Sequence, residues 1–313
     1  MNPELVRFEQ ACNDLLTKRK MMPSRKIGLN AFCTYFITNA WYAHSHEGDG
    51  FDMLAILEDD TQLIGGEKFN INFVLKFEQL YPNALKNNKT WQRLIKPLIK
   101  FKGKGVGVGE LYLALVISGW SIERTNGKGD GKVAGGIREL KNNGASLKPL
   151  ATAIRIQDNL NESVFQGHRA GPITKWKENH KDWIDVYASQ IALKTFIKGQ
   201  EATLNNNIEQ IYLSYFTQLY PGRDVTNMCK QLAKAKTGRE FNDIIGREVL
   251  RWYKIVDNWD SLVVIDQKNM TIANVADTSD EGLKTFYNIK FDWKSERGQD
   301  TQAISDGYVN III

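Results

Sequence analysis

Three carboxylates and one amine in the middle of the chain have the residue types needed for metal-assisted hydrolysis. They are Glu110, Asp130, Glu139 and Lys141. Carboxylate oxygens suit Mg²⁺, which keeps some of its waters available for reaction. A nearby ammonium can position or help deprotonate an attacking water and stabilise a pentacovalent phosphate. The set is therefore suited to metal-dependent hydrolysis of phosphodiester bonds.

The local patterns around the first two acids indicate a helix and a loop. Glu110 opens the apolar run LYLALVIS, which predicts a compact buried helix. Taken alone, an acid in a first helical turn is explained by its favourable interaction with the helix dipole. Asp130 lies in the tight loop GKGDG, between a short strand predicted from Trp120 and a second predicted strand, KVAGGIRELK.

The second strand would direct the last acid and the lysine to one side of a sheet. Side chains alternate along a strand, so Glu139 and Lys141 share one face and Leu140 takes the other. An ion-paired surface strand is the simpler explanation of this pair. The acid-x-Lys pattern alone is not specific, because it also occurs three times elsewhere, at Asp130-Gly-Lys132, Asp266-Gln-Lys268 and Asp292-Trp-Lys294.

The order of these residues resembles the PD-(D/E)XK nuclease superfamily, which includes many type II restriction enzymes and phage nucleases. In that family an acid on the first core helix precedes an Asp, and an acid-x-Lys follows on the next strand. Here the matching residues are Glu110, Asp130 and Glu139-Leu140-Lys141. The resemblance implies that the three acids bind Mg²⁺, or Mn²⁺, and that Lys141 is the catalytic lysine. One departure is that no Pro precedes Asp130.

The resemblance also implies a fold. We expect an α/β (α+β) protein with a restriction-endonuclease-like mixed sheet and extensive helical additions. The αβββαβ core of the family would occupy about 101–170, with a late strand in 261–275. The expected organisation is a helical N-terminal module over 1–100 and a nuclease-like core over 101–313, with a helical insertion at about 172–259.

The N-terminal hundred residues favour helices. Asn2 and Pro3 are typical of a cap and a first helical position, and apolar spacing predicts further helices in NINFVLKFEQLYPN and around Trp91. A cluster beginning at His44 and His46 is open to two interpretations, a metal site or a polar surface turn.

The glycine-rich stretches do not match the usual phosphate-binding motifs. Residues 102–109 lack the Gly-Lys-Ser/Thr ending of a P-loop, which disfavours an NTPase. Gly129-x-Gly131-x-x-Ala134 matches a loose dinucleotide fingerprint, but it leads into a predicted strand rather than a helix, which disfavours an oxidoreductase. These glycines more simply allow the backbone to bend or to approach a neighbour closely.

Composition suits an intracellular protein with an anionic partner. The chain has 313 residues, a formal net charge of +5 and a pI near 8.9. Three scattered cysteines indicate neither a disulfide framework nor a zinc module, and the N-terminus lacks the pattern of a secretory signal. No apolar run is long enough to span a bilayer, so we expect no membrane partner. We expect the protein to be located in the cytoplasm of a bacterial host cell, and its gene could come from a phage.

DNA is the expected partner, and a homodimer would suit paired cuts on two strands. Four lysines near the acids could neutralise DNA phosphates, or could balance only the local acids; they are Lys102, Lys104, Lys128 and Lys132. The main expectation is a Mg²⁺-dependent deoxyribonuclease. The alternative is a non-catalytic DNA-binding or assembly protein built on a nuclease-like core.

Overall fold

A computed structural model describes residues 2–21, 27–102, 106–122, 129–147, 222–284, 289–294 and 308–313, with residues 209, 212, 213, 216, 217 and 220. The α-helices in this part of the chain are α1 (Pro3–Lys18), α2 (Ile27–Glu47), α3 (Gly50–Glu58), α4 (Lys89–Lys100), α5 (Glu110–Val116), α6 (Thr226–Leu232), α7 (Gly238–Asp257) and α8 (Asp280–Lys284). The strands are β1 (Phe73–Lys76), β2 (Gly131–Val133), β3 (Gly136–Asn142), β4 (Ser146–Leu147), β5 (Ser261–Asp266), β6 (Thr271–Val275), β7 (Lys290–Lys294) and β8 (Tyr308–Ile312). None of these helices is long and apolar enough to cross a membrane.

The chain divides into two compact units. The first contains residues 1–143 and 257–287, and the second contains 144–256 and 288–312. The first unit holds both the expected N-terminal module and the strands that carry the candidate residues. The boundary expected near residue 100 therefore does not separate the two units.

A five-stranded mixed sheet organises the first unit, in the order β1-β6-β5-β3-β2. The pairing of β3 with β5 is parallel, and the other pairings are antiparallel. All six residues of β5 are buried, as its continuous apolar sequence SLVVI indicates for a central strand. The expectation of a late strand within 261–275 is confirmed, and the chain is an α+β protein with a mixed sheet.

Helices α1 and α4 of the first unit each bury one apolar face. In α1, the Asn2 side chain accepts a hydrogen bond from the Glu4 N–H (2.9 Å) and Pro3 occupies the first turn, which confirms the predicted helix start. In α4, Trp91 and Leu94 are among the buried residues. The Trp91 ring lies 6.3 Å from the ring of Tyr112 in α5, so α4 and α5 pack together.

Two segments fold differently from their predicted forms. The segment NINFVLKFEQLYPN is not one helix, because Phe73–Lys76 forms β1 against β6 and only Phe77–Leu80 forms a short 3₁₀-helix. The segment KVAGGIRELK is not one strand, because Ala134 (φ 48°) and Gly135 (φ 78°) form a two-residue turn between β2 and β3. Left-handed conformations at both central positions are typical of tight hairpins, usually with Asn-Gly, so Ala-Gly gave a weak signal.

The second unit contains a three-stranded antiparallel sheet, in the order β4-β8-β7. Gly246 lets α7 approach this sheet, since a Cβ added there would lie 2.1 Å from Cγ of Phe291 in β7. Helices α6 and α7 lie within the helical stretch expected at 172–259, and β8 lies at the C-terminal end of the described residues. Residues 148–208, including the rest of the expected core and insertion, lie outside the described part of the chain.

Candidate active site

The β2–β3 hairpin places Asp130 opposite the acid-x-Lys motif. Asp130 directly precedes β2, and its backbone N–H donates a hydrogen bond to the carbonyl oxygen of Arg138 (2.8 Å). Its side-chain Oδ2 accepts a hydrogen bond from the backbone N–H of Leu140 (3.0 Å). Asp130 and Glu139 therefore lie on adjacent strands, and the second bond fixes the orientation of the Asp130 carboxylate.

Glu139 and Lys141 contact each other on β3. The Nζ of Lys141 forms an ion pair with Oε1 of Glu139, as expected for neighbours on the same face of a strand. The Glu139 side chain is 10% exposed and that of Lys141 is 27% exposed. A mostly buried carboxylate thus holds a lysine that still reaches solvent. The ion pair agrees with the simpler interpretation of an ion-paired strand, whereas the burial of Glu139 is greater than that interpretation requires.

The glycine-rich loop before α5 positions Glu110. Glu110 is the first residue of α5 and is 2% exposed, and its Oε1 accepts a hydrogen bond from the Gly107 N–H (2.6 Å). Gly109 has a left-handed backbone (φ 79°), and a Cβ there would lie 2.2 Å from Cδ1 of Ile265. Gly107 and Gly109 therefore let the backbone bend and approach its neighbours closely, and they are not part of a nucleotide-binding motif.

Two further glycines fix the backbone around Asp130. Gly129 is left-handed (φ 67°), and a Cβ there would lie 2.3 Å from Cγ2 of Ile137. A Cβ on Gly131 would lie 2.7 Å from the Trp120 ring. Any larger residue on either side of Asp130 would therefore displace the strands that hold it. As expected, this glycine motif leads into a strand rather than a nucleotide-binding helix.

The three predicted metal ligands do not form a ready-made triad. Among the residues that the structure describes, no three His, Cys, Asp or Glu side chains lie together closely enough to hold a metal ion. The donor chemistry of Asp130 and Glu139 still suits Mg²⁺, because this ion is commonly held by one or two carboxylates together with substrate phosphates. Metal binding by these two carboxylates therefore belongs to the proposal below.

The other candidate motifs have structural roles. His44 and His46 belong to the last turn of α2 rather than to a surface turn. The His44 ring stacks on Phe8 and its Nε2 lies 2.9 Å from Oε1 of Glu4. The His46 ring stacks on Tyr42.

The Asp266-Gln-Lys268 motif closes the turn between β5 and β6. Asp266 Oδ1 accepts hydrogen bonds from the backbone N–H groups of Lys268 (2.9 Å) and Asn269 (3.1 Å). Its Oδ2 accepts from the side-chain amides of Asn143 (3.0 Å) and Asn269 (2.7 Å). Burial alone would raise the pKa of Asp266, but these hydrogen bonds outweigh it and lower the pKa.

Sequence reasoning missed Arg138 as a determinant of the site. Its side chain is 1% exposed, and burial lowers the pKa of its guanidinium. The guanidinium donates four hydrogen bonds, to Phe69 O (2.9 Å), Asn70 Oδ1 (2.7 Å), Val133 O (3.1 Å) and Ser261 Oγ (3.0 Å). It therefore joins the hairpin turn, β5 and the 3₁₀ segment Gly66–Asn70. The available signal was an arginine sharing a strand face with apolar Leu140.

The structure places two of the four predicted DNA-binding lysines. Lys102 follows α4 and Lys132 lies on β2, and both are exposed. Lys104 and Lys128 lie outside the described residues.

Comparison with protein-family models, curated proteins and solved structures finds no match. The functional interpretation of the site therefore depends on its own geometry and chemistry.

Proposed function

We propose that this protein is a Mg²⁺-dependent deoxyribonuclease that hydrolyses DNA phosphodiester bonds. The observation that carries the proposal is the hairpin arrangement of Asp130 beside the buried Glu139 and its partner Lys141. Two hard oxygen donors and an ammonium on adjacent strands are the groups that such a reaction requires.

Each residue has a defined part in this proposal. Asp130 and Glu139 would hold the ion, which supplies Lewis-acid polarisation of the phosphate. Lys141, held by Glu139 yet partly exposed, orients the attacking water and stabilises the negative charge that develops on the phosphate. The Leu140 N–H keeps the Asp130 carboxylate oriented. Glu110 remains a proposed site residue at the start of α5, and Mn²⁺ could replace Mg²⁺.

The rival proposal is a non-catalytic DNA-binding or assembly protein. The absence of a three-carboxylate group among the described residues favours it. Against it, the hairpin brings together Asp130, a mostly buried Glu139 and a partly exposed Lys141, which are the residue types that metal-dependent hydrolysis uses.

A plasmid-nicking assay separates the two proposals. Purified parent protein is incubated with supercoiled plasmid and Mg²⁺ or Mn²⁺, beside Glu139→Ala, Lys141→Ala and Glu110→Gln. The matched control is Lys268→Ala, which removes the lysine of the acid-x-Lys motif that closes a turn. We expect nicking by the parent and the control, and losses of about 100-fold or more for the two alanine variants. No metal-dependent nicking by the parent, or equal nicking by all variants, would refute the nuclease.

A further inference from the structure

The exposed face of α4 has an unusual charge pattern. Its exposed residues include four cations, and no acidic residue occurs in the sequence between Glu78 and Glu110. We call this surface the α4 basic face, which consists of Lys89, Arg93, Lys96 and Lys100. The spacing of four, three and four residues places these side chains in one row along the helix. Exposed Lys86 and Lys102 extend the row at either end.

The C-terminal charges of the row are not neutralised by neighbours. In the described part of the chain, Lys96 and Lys100 form no ion pair, and Lys89 forms none either but interacts electrostatically with Glu47. Arg93 differs, because its Nη2 pairs with the Glu47 carboxylate and so anchors α4 to the end of α2. Cations that lie close together repel one another, and the binding of an anion from solution relieves this repulsion.

The opposite face of α4 is not available for insertion into a membrane. Its apolar residues lie in the core, where Trp91 and Ile99 are fully buried and Leu98 is 1% exposed. A basic amphipathic helix binds a bilayer by inserting its apolar face, and here that face is already occupied by the protein. The cations must therefore meet a partner that contacts them from solvent.

The dimensions of the row suit a nucleic-acid backbone. Eleven residues of helix separate Lys89 from Lys100, a length of about 16 Å. One strand of a duplex carries about five phosphates over that distance along its axis. Apart from Arg93, which pairs with Glu47, the row contains three lysines with one more beyond each end, so its charge density approaches that of the strand. The C-terminal end of α4 also leads, within ten residues, to Glu110 at the start of α5.

We propose that the α4 basic face binds the phosphate backbone of duplex DNA. This inference rests on the proposed function for the identity of the anion as DNA. It assigns the binding to α4, in addition to the lysines expected near the site from the sequence.

The test measures binding without cleavage. Full-length parent and Lys96→Gln/Lys100→Gln are titrated into a labelled DNA duplex in EDTA, at several salt concentrations. The matched control is Lys234→Gln/Lys236→Gln, which removes the same charge from exposed lysines outside α4. We expect the α4 variant to bind roughly tenfold or more weakly, with a salt slope smaller by about 1.8, because two phosphate contacts are lost. The control should match the parent, and circular dichroism should show that both variants remain folded.

The outcomes separate this inference from the nuclease proposal. Equal affinity and salt slope for the α4 variant and the control would overturn the inference, even if the parent cuts plasmid. Salt-dependent binding that requires the α4 lysines, together with no metal-dependent nicking, would keep the DNA-binding face and refute the nuclease. Binding of RNA duplex but not DNA duplex would overturn the assignment of DNA as the partner.

Discussion

The backbone N–H of Leu140 donates a hydrogen bond to Oδ2 of Asp130 across the β2–β3 hairpin, at 3.0 Å. Together with the bond from the Asp130 N–H to the Arg138 carbonyl oxygen, this contact ties the loop acid to the strand that carries Glu139 and Lys141. The Asp130 carboxylate thus has two roles, as a hydrogen-bond acceptor and as a negative charge. An amide side chain at this position can accept the hydrogen bond but carries no charge.

Asp130→Asn and Asp130→Ala should therefore differ in stability but not in activity. Asn keeps an oxygen for the Leu140 N–H, whereas Ala leaves that N–H without its acceptor, at a cost of about 1–3 kcal/mol. Both variants should lose metal-dependent nicking, because neither has a carboxylate. Urea unfolding measures the first difference and the plasmid assay the second. Equal stability of the two variants would show that the bond to Leu140 contributes nothing.

The Glu139–Lys141 pair should show strong energetic coupling. Lys141→Met leaves a mostly buried carboxylate without its cation, which should destabilise the fold by about 2 kcal/mol. Glu139→Gln removes the negative charge that Lys141 balances, so the double variant should be more stable than the sum of the single effects predicts. Urea unfolding of the four proteins gives the coupling energy.

The exposed pair Lys284–Glu281 provides a control for this cycle. Its side chains are 64% and 85% exposed, so its coupling should not exceed about 0.5 kcal/mol. Coupling of the same size in both pairs would mean that the burial of Glu139 does not strengthen its interaction with Lys141.

The sequence predicted those parts of the site that depend on local patterns. The shared face of Glu139 and Lys141 follows from strand alternation, and the helix start at Glu110 follows from the apolar run after it. The hairpin turn was missed because its Ala-Gly sequence is a weak turn signal. β1 was missed because its formation depends on pairing with β6, which lies nearly two hundred residues later in the chain. Apolar spacing over a few residues does not distinguish a short strand from a helix when distant pairing decides the outcome.

Gly109→Ala should be more harmful than Gly119→Ala, although both glycines are left-handed. A Cβ at Gly119 (φ 69°) meets nothing within 4 Å. Alanine there should therefore lower stability only by the cost of a left-handed backbone in a residue with a side chain, about 1–2 kcal/mol. A Cβ at Gly109 (φ 79°) would also clash with Ile265 at 2.2 Å, which should add about 1–3 kcal/mol and displace Glu110. Thermal unfolding and nicking rates test both effects. Equal losses in the two variants would argue that the α5 loop has room to relax.

Arg138→Leu should strongly destabilise the first unit. The substitution keeps an apolar body on the strand but removes the donor to buried acceptors, including Ser261 Oγ, which is left without this hydrogen bond. The expected loss is about 3–5 kcal/mol. Lys132→Leu on the adjacent strand β2, where the lysine is exposed, is the control and should change stability by no more than about 0.5 kcal/mol. Urea unfolding that gives similar midpoints for the two variants would contradict the role assigned to Arg138.

Asp266 should make the stability of the protein depend on pH in the acidic range. Its pKa is lowered in the folded state, because hydrogen bonds from Lys268 and Asn269 outweigh burial. The folded state therefore favours the ionised carboxylate, which stabilises the protein. This stabilisation is complete above the ordinary pKa of an Asp, about 3.9, and it declines as the pH falls through the lowered pKa of the folded state. Asp266→Asn cannot titrate, so the parent should exceed it in stability at neutral pH by about 1–3 kcal/mol, with a gap that narrows below about pH 4. Urea midpoints across this range provide the measurement, and Glu58→Gln, at an exposed carboxylate, is the control with a small gap throughout. A gap for Asp266→Asn that stays constant as the pH falls would show that the turn does not depend on the charge of this carboxylate.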